Sequence, residues 1–109
     1  MRRTGSLAVI TLPDEIDLAT ARQVDEELNA LLIRRPGAVV ADLTQTRFCD
    51  SSGIAALLRA SRRAAVVAVP FRLVCSEPVV RMIRLVGADQ VLELHPTLAA
   101  AAGHAGAEG

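Results

Sequence analysis

The sequence contains no lysine: all twelve of its basic residues are arginine. Chemistries that turn on a lysine amine are therefore excluded, among them Schiff-base catalysis, a Walker-type phosphate lysine and the strand lysine of a kinase. Glycine-rich phosphate loops are missing as well, since neither G-x-G-x-x-G nor G-x-x-x-x-G-K-[ST] occurs. The two cysteines, Cys49 and Cys75, are too few and too far apart for a disulfide scaffold or a zinc site, so they read as reduced thiols packed in the core of a cytoplasmic protein, with no metal and no cofactor. His95 and His104 lie too far from each other and from any nucleophile to suggest a triad or a metal pair. Twelve acidic residues cancel the twelve arginines, which removes the basic footprint of a protein that binds nucleic acid or an anionic membrane. Long apolar runs are also lacking. The segment from Ser6 to Leu12 stops at Pro13-Asp14-Glu15, without the length or flanks of a signal peptide or membrane span.

What is present is a chain of 109 residues, 51% apolar and 22% charged, enough for one domain that buries roughly two-thirds of its unfolded surface. Ser6 to Leu12 has β-branched residues at strand length after a Thr4-Gly5 turn signal. From Asp17, the positions Leu18, Ala21, Val24, Leu28, Leu31 and Leu32 recur at spacings of three and four, the pattern of an amphipathic helix. Its start has two candidate caps, Asp17 or Thr20, and Arg34-Arg35-Pro36-Gly37 marks its end.

Ala38 to Leu43 is a nearly continuous apolar run of the kind buried within a parallel sheet. A second helix opens at Ser51-Ser52 with Ile54, Leu57, Leu58, Ser61 and Ala65 on one face. Phe71 to Cys75 is a further strand, with Val66 to Val69 as a candidate backward extension against which Pro70 argues. Ser76-Glu77-Pro78 starts a third helix, through Val79, Val80, Ile83 and Val86 to a stop at Gly87. Asp89 to Leu94 is the last strand, and a short alanine-rich helix runs from Pro96 through Ala102 and ends at Gly103. The alternation implies an α/β domain with right-handed crossovers and a mostly parallel sheet of four to five strands. Residues 1–102 form that domain, and 103–109 read as a flexible tail.

One segment stands out for its chemistry. Phe48-Cys49-Asp50-Ser51-Ser52-Gly53-Ile54 joins a strand to a helix N-terminus, where backbone N–H groups lack partners and the dipole is positive. The plain structural reading is that a serine hydroxyl caps the helix while Gly53 allows close packing. Three capping residues exceed the need of one helix, so the functional reading is that one serine caps and the other presents its hydroxyl to a partner. A serine nucleophile would need a base and a G-x-S-x-G elbow, neither of which is in place, so no catalytic residue is assigned. A phosphorylatable serine needs only exposure, and about two added charges would reset an interface.

D-S-S-G-I after a hydrophobic strand, preceded by E-I-D at Glu15 to Asp17 and followed by S-E-P-V-V-R-M-I-R-L-V-G, resembles the bacterial anti-sigma factor antagonists and their sulfate transporter and anti-sigma antagonist (STAS) domain. The resemblance spans about Ser6 to Ala102. It implies a phosphoprotein of transcription regulation rather than an enzyme, with Ser51 as phosphoacceptor for an anti-sigma factor that is also a serine kinase. Ser52 is then the neighbouring cap, a PP2C-type phosphatase reverses the switch, and Asp17 joins Asp50, Ser51, Ser52 and Gly53 on the binding face. Where the family often has glycine this chain has Asp14, which tolerates left-handed backbone. The family also has an N-terminal strand where only Met1 to Thr4 is present. The alternative reading is a STAS subunit of a transport or signalling complex in which Ser51 is no switch.

Overall fold

The computed structural model describes the backbone of residues 6–106 and the side chains of residues 6–103. Met1 to Thr4, the Thr4-Gly5 turn signal and the end of the tail, residues 107–109, lie outside the described residues. Four strands, β1 (Leu7–Thr11), β3 (Ala38–Leu43), β5 (Phe71–Cys75) and β6 (Glu93–His95), form one wholly parallel sheet in the order β1-β3-β5-β6. Two further strands of two residues each, β2 (Glu15–Ile16) and β4 (Phe48–Cys49), make a separate parallel pair. The sequence carries no alternation that would reveal strands so short.

Because the strand order is monotonic and every pairing parallel, right-handed crossovers put α1 (Leu18–Ile33), α2 (Ser51–Val66) and α3 (Glu77–Leu85) on one sheet face. The main core lies there. Alternate residues of the sheet, Val39, Ala41 and Leu43 on β3 and Phe71 and Leu73 on β5, meet Val24, Leu28 and Leu32 of α1 and Leu57 and Ala60 of α2. The α1 stripe follows its spacing except at Leu18, which sits in the first turn and is 80% exposed. On α2 the buried stripe is Gly53, Ile54, Ala56, Leu57, Ala60 and Ala64, so Ala65 is exposed and Ser61 only half-buried, unlike the face read from the sequence. Those small residues let α1 approach closely, and Asp25 of α1 binds Arg59 of α2 at 3.3 Å.

The second face, covered by α4 (Leu98–Gly106), is thinner: Val40, Val74 and Ala101 form its apolar cluster. Arg72 lies among them almost fully buried, its Nε on Glu93 at 3.2 Å and its Nη1 without a hydrogen-bond partner among the described residues. His95 Nε2 meets the same Glu93 oxygen at 2.7 Å.

Several boundaries differ from those read in the sequence. Val66 closes α2 and does not extend β5 backwards. After the left-handed Gly87, a 3-10 turn takes Ala88–Gln90, so the last strand is only Glu93–His95. The alanine-rich helix continues past Gly103 to Gly106, so residues 103–106 continue α4 instead of opening the tail. Asp14 is not left-handed; that backbone occurs at Arg35 and Ala68.

Candidate functional site

The β2–β4 pair draws two helix N-termini together. Glu15 aligns with Phe48 and Ile16 with Cys49, and Asp50 N–H continues the ladder by donating to the Ile16 carbonyl at 3.0 Å. The next residue after each strand is an aspartate, and each aspartate is the N-cap of its helix. Asp17 Oδ1 accepts from the N–H groups of Ala19 at 2.9 Å and Thr20 at 3.1 Å, and Thr20 Oγ1 accepts from Asp17 N–H at 2.9 Å, completing a capping box. Both candidate caps read from the sequence therefore act in one motif.

At α2 the structure corrects the capping assignment. Asp50 Oδ1 takes the N–H groups of Ser52 at 2.9 Å and Gly53 at 3.3 Å, so neither serine is the cap. An aspartate placed before the helix has already satisfied the donors that a serine side chain would seek. Ser51, in the first helical position, is exposed, Ser52 is half-buried, and neither hydroxyl is hydrogen-bonded among the described residues.

Gly53 is required by space, not by backbone conformation. A Cβ there would lie 2.5 Å from Cys49 Sγ and 2.8 Å from Ile16 Cγ2. The first turn of α2 thus rests on the β2–β4 pair through a position that admits no side chain, which keeps Ser51 beside the Asp17 helix end. The base of the site is tied down by two further contacts. Thr46, fully buried, donates its hydroxyl to the Pro13 carbonyl at 2.8 Å, and Ser76 Oγ donates to the Thr46 carbonyl at 2.5 Å. Ser76 spends its side chain there and makes no cap bond to α3.

The rim is acidic, with Asp14, Glu15, Asp17 and Asp50, and Arg47 is engaged with Asp14 at 3.0 Å and Glu15 at 3.9 Å. It is also partly apolar: Leu18 and the half-exposed Phe48 show large hydrophobic surface on the same two segments. Leu18, Thr46 and Ser76 are residues of this site that sequence pattern did not assign to it: a leucine in a helical stripe reads as core, and Ser76 reads as the start of α3.

Neither Cys49 nor His95 is poised to activate Ser51 as a nucleophile. The nearby thiol, Cys49, is pushed up to about 11 by burial and then by the Asp50 charge, and His95 is engaged with Glu93 on β6. Among the described residues no three of His, Cys, Asp and Glu are grouped to hold a metal ion, and no helix is long and apolar enough to cross a membrane. The arrangement presents a hydroxyl with no bond among the described residues on a firm, acidic and partly apolar surface.

The STAS domain family model matches residues 1–101. A Mycobacterium tuberculosis protein named anti-sigma-F factor antagonist RsfB is 33% identical over 95 residues, covering 86% of this chain and 77% of that protein. The crystal structure of an anti-sigma factor antagonist from Mycobacterium paratuberculosis superposes with a TM-score of 0.84 at 28% identity, over 96% of this chain and 89% of that one. The unphosphorylated form of the Bacillus antagonist SpoIIAA shares the fold at 20% identity, with a TM-score of 0.77 over 98% of this chain and 94% of its own.

Proposed function

The chain belongs to the STAS domain family, and on that footing we propose that it is a cytoplasmic anti-sigma factor antagonist working as a partner switch at Ser51. In the unmodified form it binds an anti-sigma factor that is also a serine kinase, so that a sigma factor is released. Phosphorylation of Ser51 ends that binding, and a PP2C-type phosphatase restores it. The similarity to named antagonists supports the binding role. The observation that carries the switch is the Ser51 hydroxyl itself, exposed and unbonded because Asp50 does the capping.

In the transfer step Ser51 Oγ attacks the γ-phosphorus of ATP, the new O–P bond forms as the bond to the bridging oxygen breaks, and ADP leaves. The hydroxyl proton goes to a base supplied by the kinase, since the carboxylates of Asp50 and Asp17 are committed to capping their helices. The product gains about two negative charges next to Asp50 and Asp17. A dianion at a helix N-terminus is favoured locally by about 0.3 to 2 kcal/mol, so the domain stays folded. The interface does not tolerate it. A neutral hydroxyl is desolvated cheaply, whereas a phosphate on an acidic rim must keep its water or find cations, and juxtaposed like charges cost several kcal/mol.

Incubation with the anti-sigma kinase and ATP, followed by mass spectrometry of the peptide from Arg47 to Arg59, tests the assignment. The expected product carries phosphate on Ser51. Phosphate mainly on Ser52 would overturn the assignment, and no transfer by any candidate kinase would leave the reading as a STAS subunit without a switch.

A further inference from the structure

We propose that β1 is a self-pairing edge, at which two copies of this chain join antiparallel to extend their sheets into one. This goes beyond the Ser51 site and does not depend on it. Among the described residues β1 has a single neighbour, β3. The N–H of Leu12 and the carbonyl of Ser6 both point towards β3, where they meet the Asp42 carbonyl at 2.9 Å and the Gly37 N–H at 2.9 Å. Backbone polarity in a strand alternates with each residue, so Ser6, Ala8, Ile10 and Leu12 bond inwards while the N–H and carbonyl groups of Leu7, Val9 and Thr11 point out of the sheet. None of these three backbone groups has a partner among the described residues.

This row is self-complementary. A two-fold axis at Val9 pairs Val9 with Val9 and Leu7 with Thr11, each as a hydrogen-bonded pair that exchanges both N–H···O bonds. The same residues place Leu7, 37% exposed, and Val9, 52% exposed, on one face, where the second copy covers them. Between Leu7 and Thr11 there is no charged residue or proline of the kind that blunts natural sheet edges.

Charge complementarity selects a second copy over another partner. A groove of about 330 Å³ runs beside β1, lined by Val9, Ile10, Glu27, Ala30, Leu31 and Arg34. Neither Glu27 nor Arg34 has an ion-pair partner among the described residues; Glu27 only accepts from Gln23 at 3.1 Å. The two lie on either side of Ala30 along α1, level with β1. A two-fold axis at Val9 therefore brings Glu27 of each copy opposite Arg34 of the other, with the small Ala30 at the centre. The composite sheet runs antiparallel across the junction, so the two Ser51 sites face opposite ends and both stay open.

Sedimentation equilibrium of the full chain, from about 10 µM to about 1 mM, is expected to show a mass rising to twice that of the monomer. Val9→Pro removes an outward N–H that β3 does not use, and is expected to weaken association at least about tenfold while far-UV circular dichroism stays unchanged. Glu27→Arg is expected to weaken it too, and Glu27→Arg with Arg34→Glu to restore it, a recovery that a misfolded variant could not give. A monomer throughout the range, or a dimer indifferent to Val9→Pro and to the charge swap, overturns the proposal. So does dimerisation seen only after residues 1–5 are deleted, which would make the chain's own N-terminal segment the occupant of the edge.

Discussion

Replacing Gly53 by alanine tests whether the site is held by close approach of α2 to the β2–β4 pair. On helix propensity alone, alanine should stabilise the first turn by up to about 1 kcal/mol. The added methyl would lie 2.5 Å from Cys49 Sγ, 2.8 Å from Ile16 Cγ2 and 3.2 Å from Ile16 Cβ. Cys49 can turn its sulfur, but Ile16 is β-branched and fully buried, so the helix must lift away. Overpacking of this kind costs about 1 to 3 kcal/mol, which against the propensity gain leaves a net loss of about 0 to 2 kcal/mol. For a domain of this size each kcal/mol lowers Tm by about 4 to 8 °C. Urea and thermal unfolding of Gly53→Ala, repeated in a Cys49→Ala background, measure both the loss and its source. The penalty should shrink when the sulfur is gone and persist in part, because the Ile16 contacts remain. A Gly53→Ala protein as stable as the parent or more so, with no coupling to position 49, would refute the close-approach reasoning.

Asp50→Ala strips the cap from α2 and should cost about 0.5 to 2 kcal/mol in urea unfolding, whereas Ser51→Ala should leave stability unchanged; a larger loss for Ser51→Ala would mean that the serine is structural. Burial, then the Asp50 charge, raises the Cys49 thiol to about 11, and burial, then the charges of Cys49 and Asp42, raises Cys75 to about 12. The folded chain therefore keeps protons that the unfolded chain releases above 9.0, so their stabilisation is complete below that pH and is lost as pH rises towards 11 to 12. The urea midpoint should fall over that window, less so in a Cys49→Ala/Cys75→Ala protein, and at pH near 8 a thiol reagent should react slowly; fast labelling of the folded state would contradict this. Arg72→Met removes a buried guanidinium nitrogen with no partner among the described residues and a pair to the half-exposed Glu93. Stability should stay within about 1 kcal/mol or rise, and a loss of about 3 kcal/mol or more would show the pair to be essential.

The parallel sheet and its helices were legible because α1 and β3 carry strong patterns, a stripe at spacings of three and four and a run of six buried residues. What sequence could not resolve was chemistry shared by neighbours. Asp50, Ser51 and Ser52 can all cap, and only the extended backbone at Asp50 decides which one does. The strands β2 and β4 are too short to show a period, yet they are what brings Asp17 to Asp50. Gly53 was readable as a packing glycine, but the atoms it packs against, 37 residues away at Ile16 in the case of the branched methyl, come from the tertiary fold. Leu18 belongs to the apolar stripe by spacing, yet as the first residue of α1 it is exposed.

Titration calorimetry of the anti-sigma factor against this chain, unmodified and phosphorylated at Ser51, measures the switch most directly. The unmodified chain and Ser51→Ala are expected to bind alike, Ser51→Asp at least about tenfold more weakly, or about 1.4 kcal/mol, and the phosphorylated chain more weakly still, since aspartate carries a single charge. Equal affinity for all four forms would contradict the account and leave Ser51 as an exposed helix residue with no regulatory part.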